Sequence, residues 1–289
     1  MLLSTSTGNL SGKLGLEGTL KSLKEAGFDA FDLSISNLTR GENAPLMQED
    51  YPEFLKALKQ TADALGLVCN LAHGAFVPEK YGDEAYNRDS FARTVREMEA
   101  AAFLGAPIIV IHPVKDLPKG VDPVTENLRF YRSLIPYCEK YGIKVAVENI
   151  FEYDALRKRQ KPCGIGTSRQ LAAFVDLLGC DWFTICLDVG HAAINGEEPQ
   201  DAVRILGKRI GCVHIHDNDF VNDSHTVPYL GRFNWDAICK AFAEIGYEGD
   251  FTSEASAYET FFPRELIPAA LRLEASVFRY LMARIDSYR

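Results

Sequence analysis

The 289-residue sequence has seven cysteines but no CxxC pair, and the count is odd. That speaks against a disulfide framework. Cys186 in "TICLDVG" and Cys212 in "IGCVHIH" sit inside apolar runs, as buried free thiols in a reducing compartment do. No apolar run approaches the length of a membrane span. The opening "MLLSTSTGNLSGKLG" has no basic n-region, and its apolar stretch is too short for a signal peptide, so a cytoplasmic location is expected. A basic surplus is missing too. Forty Asp and Glu oppose 31 Lys and Arg, for a net charge of -9. A broad nucleic-acid footprint would need clustered cations to neutralise phosphates. No Pro/Gly/Ser-rich linker, low-complexity tract or charge block divides the chain, so one domain over 1–289 is expected.

Apolar residues make up 47% and charged residues 25%, enough for a sizeable core. Short β-type runs recur at 1–7, 30–36, 67–73, 107–113, 144–150, 183–190, 210–217 and 249–256. Most are continuously apolar rather than alternating, as in parallel strands covered on both faces. Between them lie helical stripes. Phe91, Val95, Met98 and Ala102 share one face, as do Val124, Leu128, Tyr131, Ile135 and Cys138. Leu171, Phe174, Val175 and Leu178 form another, and Trp235, Ile238, Phe242 and Ile245 a fourth. Asp50, Ser168 and Asn234 stand at N-cap positions, and Gly66, Gly105, Gly142, Gly179 and Gly246 follow helix ends. A long helix from about Pro263 to Ser287 ends the chain. Eight strands alternating with eight helices predict an α/β fold of the (β/α)8 TIM-barrel type.

In such a barrel the chemistry sits at the C-terminal ends of the strands. Those ends carry His73, His112, Glu148 with Asn149, Asp188 with His191, then His214, His216 and Asp217, and finally Glu254. The loop after the seventh strand adds Asp223 and His225. All six histidines of the chain fall on this rim. A lone strand-end histidine is ordinarily a hydrogen-bonded packing residue, but carboxylates buried without partners are costly. A shared divalent cation turns that crowding from repulsion into ligation. His214 and His216, two apart on a strand, point the same way. Their spacing alone leaves open which one is a ligand.

"VENI", "CLDVGHAAINGEEP", "VHIHDNDFVNDSH" and "TSEAS", in this order at these strands, resemble the xylose isomerase-like TIM-barrel superfamily over nearly the whole chain. That group includes ketose 3-epimerases, inosose-processing enzymes and endonuclease IV-type apurinic endonucleases. The resemblance implies a principal metal held by Glu148, Asp188, His214 and Glu254, with His216 as neighbour. His191 matches a histidine that contacts substrate in epimerases and a further zinc in the nucleases. His73, His112, Asp223 and His225 match positions completing the nuclease's three-zinc cluster. "YLGRFNW" departs from the "LGxGxxxW" form common in both branches, which bears on the loop after the seventh strand. Barrels of this group often pair through their outer helices, so a homo-oligomer is open.

The first reaction implied is isomerisation or epimerisation of a small carbohydrate or sugar phosphate. Glu148 and Glu254 would act as acid and base beside a Lewis-acidic cation, with His191, His216 or His225 positioning hydroxyls. Three carboxylates and one histidine favour Mn2+, Mg2+ or Co2+. The alternative is a Zn2+-dependent phosphodiesterase using the further histidines, or an inosose dehydratase-like lyase. "RKRQK" (157–161) reads as a solvated loop or a grip on one anionic group. Phe76, Tyr81 and Phe151 could stack on a sugar face or simply pack. Trp182 and Trp235 read as core.

Overall fold

The computed structural model describes residues 1–289 apart from 256, 257 and 260. Its strands in chain order are β1 (Leu3–Thr5), β2 (Ala30–Leu33), β3 (Val68–His73), β4 (Ile108–Ile111), β5 (Lys144–Glu148), β6 (Phe151–Asp154), β7 (Arg159–Pro162), β8 (Phe183–Asp188), β9 (Ile210–Ile215) and β10 (Phe251–Ser253). All but β6 and β7 form one parallel sheet in the order β1-β10-β9-β8-β5-β4-β3-β2. The two ends meet through a parallel bridge between Ser6 and Asp32 and a bond from the Thr7 amide to the Asp32 carbonyl at 2.9 Å. The result is a nearly closed (β/α)8 TIM barrel, as the alternating pattern predicts.

The helices cover its outside. They are α1 (Gly8–Ala26), α2 (Tyr51–Leu65), α3 (Glu84–Leu104), α4 (Pro123–Ser133), α5 (Ile135–Tyr141), α6 (Ser168–Leu178), α7 (Val189–Ile194), α8 (Pro199–Leu206), α9 (Trp235–Glu244) and α10 (Ile267–Ser287). The apolar stripes face inward. Met98, Tyr131, Cys138, Leu171, Phe174, Trp235, Ile238 and Phe242 are all buried in the layer between sheet and helices. Trp182 packs at its edge. All seven cysteines are free, and burial pushes the Cys138 and Cys239 thiols up to about 12. Among the described residues, no helix is long and apolar enough to cross a membrane.

Several boundaries differ from the pattern-based expectation. The Val124-to-Cys138 stripe is two helices, because Pro136 lacks the amide a continuous helix would need and starts α5 instead. Thr167, not Ser168, caps α6. Its hydroxyl accepts from the Gln170 amide, and Gln170 reaches back to the Thr167 amide. Asn234 does cap α9, accepting from the Ala237 amide at 3.1 Å, whereas the Asp50 side chain makes no capping bond. The last strand, expected over 249–256, ends at Ser253, and residue 256 lies outside the described residues. The loop expected after β5 contains the antiparallel hairpin β6–β7.

The strands' two-residue repeat explains how the barrel presents its mouth. Leu71, Val110, Ala146, Cys186 and Cys212 make a separate apolar cluster. Each stands two residues before a rim residue: His73, His112, Glu148, Asp188 and His214. Residues two apart on a strand share a face, so the first set floors the barrel and the second stands on that floor. Register then aligns the second set. Asp188 pairs with His214, Thr252 with His214, and the Glu254 amide continues the ladder to the Ile215 carbonyl at 3.0 Å.

Candidate metal centre

Glu148, Asp188, His214 and Glu254 arrive from β5, β8, β9 and the end of β10. One ligand atom from each lies within 4.8 Å of all the others. Glu148, Asp188 and His214 are fully buried, and Glu254 is nearly so. Glu148 is the hub. Its Oε1 is 3.2 Å from His214 Nδ1 and 3.4 Å from His191 Nδ1, and its Oε2 is 2.8 Å from His112 Nε2.

Among the described residues, two more groups overlap this one through His214, Asp32 with His73 and His214 and Glu148 with Cys186 and His214, and two further groups flank it. His73, His112 and Glu148 form the first, with the two Nε2 atoms facing each other at 3.1 Å. His191, His216, Asp223 and His225 form the second. Here Asp223 Oδ2 is 3.0 Å from His225 Nε2 and 3.6 Å from His191 Nε2. His216 Nε2 meets Asp188 Oδ1 at 3.1 Å, and its ring stacks on His225 with centroids 3.9 Å apart. All ten candidate residues therefore meet in one cup.

Local sequence explains the placement. Asp188 ends β8 and caps α7, accepting from the His191 amide at 2.7 Å, so one turn of helix turns His191 into the cup. Gly190 leaves room for the His216 ring, because a Cβ there would fall under 3.0 Å from three ring atoms. Asp217 organises the following loop. It accepts from the amides of Asn218, Tyr229, Arg232 and Phe233 and from Trp235 Nε1. Within "YLGRFNW", the glycine shared with the common form, Gly231, packs directly on the Asp217 carboxylate, where a Cβ has no room. Among the described residues, three of the five non-glycine residues with positive φ, Phe220, His225 and Tyr229, lie in this loop, so its shape is strained as well as pinned.

The electrostatics suit a cation. Burial alone would raise the Glu148 and Glu254 carboxyls, but the surrounding imidazoles outweigh it and hold both well below the usual range. Burial opposes charge on His214 and His191, yet the facing carboxylates hold both well above the ordinary imidazole value. His225 rises to about 9 on Asp223 and Glu254, against burial. His112 is lowered, because there burial wins. The protons on these imidazoles supply positive charge that a divalent ion would supply instead.

Asp32, the penultimate residue of β2, is not among the strand-end residues expected from the sequence. It is fully buried, its carboxylate oxygens have no hydrogen-bond partner, and burial raises its carboxyl to about 6. The signal was present: an acid inside the apolar run "AFDL" is the same anomaly as Glu148 inside "VAVEN". The basic segment 157–161 mostly builds the hairpin, with Arg157 paired to Asp154 and Lys161 to Glu152. A cavity of about 470 Å³ lies beside the cup, between this hairpin and the loop after β4, and includes none of the candidate ligands. Phe76 packs on His73 and His112, and Phe151 stands edge-on to His191, so both rim aromatics brace imidazoles. Tyr81 is exposed.

The family model for the xylose isomerase-like TIM barrel matches residues 20–277. The chain belongs to that family. The uncharacterized protein y4fM of Sinorhizobium fredii is 29% identical over 193 residues, covering 62% of this chain and 58% of the relative. A D-psicose 3-epimerase of Agrobacterium fabrum is 23% identical over 80% of this chain and 75% of its own. The chain spans a little over half the length of the first curated relatives it matches. Among solved structures, a D-tagatose 3-epimerase-like protein superposes with a TM-score of 0.71 at 22% identity, over 96% of this chain and 99% of that one. Within the xylose isomerase-like family, then, the fold is shared with sugar epimerases.

Proposed function

We propose that this xylose isomerase-like barrel is a divalent-metal-dependent isomerase or epimerase of a small carbohydrate. One observation carries the reading: Glu148, Asp188, His214 and Glu254 bring one donor each to a common point at the barrel mouth. The donor set fits a hard or borderline divalent ion such as Mn2+, Mg2+, Co2+ or Zn2+. The facing Nε2 atoms of His73 and His112 likewise call for a proton or a cation between them. The likeness of the fold to sugar epimerases supports the choice of substrate class.

An ion held there would supply Lewis acidity toward a carbonyl and its neighbouring hydroxyl. The proton transfers fall to the chain's own groups. β5 and β10 are three staves apart, so Glu148 and Glu254 enter the cup from different sides. One carboxylate takes the proton from the carbon beside the carbonyl; returning that same proton to the adjacent carbon gives isomerisation, whereas epimerisation needs the other carboxylate to have first picked up a proton from water, which it then delivers to the opposite face. Both lie well below the usual carboxylate range, so both are ionised at neutral pH and able to accept. His191 and His225, held protonated beside Asp223, donate hydrogen bonds to substrate hydroxyls.

A second reading is favoured by the two flanking donor groups. With ions at all three, His73, His112, His191 and His225 would be ligands, and the cup would suit zinc-dependent phosphodiester hydrolysis. Metal content of the purified chain, measured with turnover of a ketose panel and of an abasic duplex, decides between them. One ion per chain with ketose turnover is expected. Three zinc ions with duplex cleavage would replace the first reading by the second, and a chain that holds no divalent ion would remove both.

A further inference from the structure

His214 presents its two ring nitrogens to different surroundings. Nδ1 stands 3.2 Å from Glu148 Oε1 and 3.5 Å from Glu254 Oε2, on the side where the four donors converge. Nε2 points away from that cluster and has no hydrogen-bond partner. The group it faces is Asp32, with Oδ2 at 3.8 Å. Both carboxylate oxygens of Asp32 are unpartnered as well, and both residues are fully buried. Two orphaned polar groups thus face each other, slightly beyond hydrogen-bond range, directly behind a candidate ligand.

A buried carboxylate without a partner is costly, and a fold keeps one where it does something. A histidine that ligates through one nitrogen must carry its proton on the other, and an acceptor behind that nitrogen fixes tautomer and ring orientation and makes the ligating nitrogen more basic. We infer that Asp32 is the positioning residue for His214, accepting the Nε2 proton so that Nδ1 is held deprotonated and aimed at the metal. The inference rests on the proposed ligand set and adds a residue that the set does not contain. Placement agrees with it. Asp32 is the penultimate residue of β2 and bridges to Ser6 where the barrel closes, so its backbone is anchored by the Thr7 amide. His73 Nδ1 is 3.4 Å from Glu254 Oε1, which leaves His214 Nε2 as the ring nitrogen that needs an acceptor here.

The test compares the full-length wild-type chain with Asp32→Asn and Asp32→Ala, each stripped by chelator and titrated with Mn2+ or Zn2+ alone against a chromophoric competitor. Thermal melts are recorded with and without metal. Asp32→Ala is expected to weaken the tightest ion by about 10–100-fold, the usual effect of losing a group that orients a ligand. Asp32→Asn should fall between, because its carbonyl still accepts from Nε2–H. The number of ions per chain should stay the same. The stripped variants should melt at or above wild type, since an unpaired buried charge has been removed, and only the metal-induced rise in melting temperature should shrink. Equal affinity in wild type and both variants overturns the inference while leaving the ligand set standing. So does loss of one whole ion with the rest unchanged, which would make Asp32 a ligand itself. A stripped variant melting well below wild type would mean a purely structural role, and also overturns it. A wild-type chain that takes up no ion overturns both the inference and the ligand set beneath it.

Discussion

Replacing Asp217 by Asn keeps size and shape but removes half of an acceptor that five donors share. In the wild type Oδ1 accepts from the amides of Asn218, Arg232 and Phe233, and Oδ2 accepts from the Tyr229 amide at 3.0 Å and Trp235 Nε1 at 2.7 Å. An asparagine can satisfy one group with its oxygen, but its NH2 then confronts the other. The smaller loss strands the part-buried Tyr229 N–H and the buried Trp235 Nε1–H, at about 1–3 kcal/mol for the buried donor and less for the other. About 3 kcal/mol is therefore expected, or a melting temperature lower by roughly 8 °C for a chain of this size. The loss has a local face. Phe220, His225 and Tyr229 hold positive φ in the loop that Asp217 pins, and such strain persists only while the surroundings over-determine it. Amides over 218–234 should exchange with solvent faster than those of β9, and the ion nearest Asp223 and His225 should bind more weakly. Thermal melts, hydrogen exchange and metal titration read the three effects. A variant that melts within about 2 °C of wild type with unchanged exchange in this loop would refute the account of Asp217 as the loop's anchor.

Glu97 is buried on α3 with one oxygen accepting from Thr39 Oγ1 at 2.6 Å and the other unpartnered, and burial raises its carboxyl to about 7. An acid raised on folding stabilises below its unfolded value and loses that contribution as pH climbs through the folded one. Between 4.5 and about 7, at roughly 1.4 kcal/mol per pH unit, up to about 3 kcal/mol is lost. Glu97→Gln should therefore match wild type near pH 5 and exceed it by a few kcal/mol at pH 8 in urea unfolding; parallel pH profiles would contradict this. Gly190→Ala should displace His216 from its bond to Asp188, costing about 1–3 kcal/mol and lowering metal affinity. A crystal structure with the His216 ring unmoved would rule that out. Glu148→Gln should leave a folded chain, by circular dichroism, with no detectable turnover; retained turnover would remove Glu148 from the proposed chemistry.

Most of the cup was legible because strands report their facing directly. Continuous apolar runs identified the staves, and polar residues at their C-terminal ends stood out against those runs. The glycine-terminated helices were legible for the same local reason: Gly66, Gly105, Gly142 and Gly179 all follow their helices in the left-handed conformation. Asp32 is not legible in the same way, because it stands inside the short run of β2 rather than at its end, where the other rim residues stand out. The hairpin at 151–162 was missed because its exposed basic strand lacks an apolar face, so neither period marks it.

What the chain determines locally is which side chains stand at stave ends and which way each one points, since a two-residue repeat and a helix cap are set within a few residues. It also determines the charge balance, with an acidic excess that disfavours a polyanion. Only the tertiary structure decided that these ends share one cup, because closure between β1 and β2 and the registers of β8, β9 and β10 depend on contacts across the whole barrel. It decided too which histidine nitrogen faces which carboxylate. Ring orientation follows from packing against Gly190, Phe76 and Phe151, which are remote in sequence from most of the groups they orient.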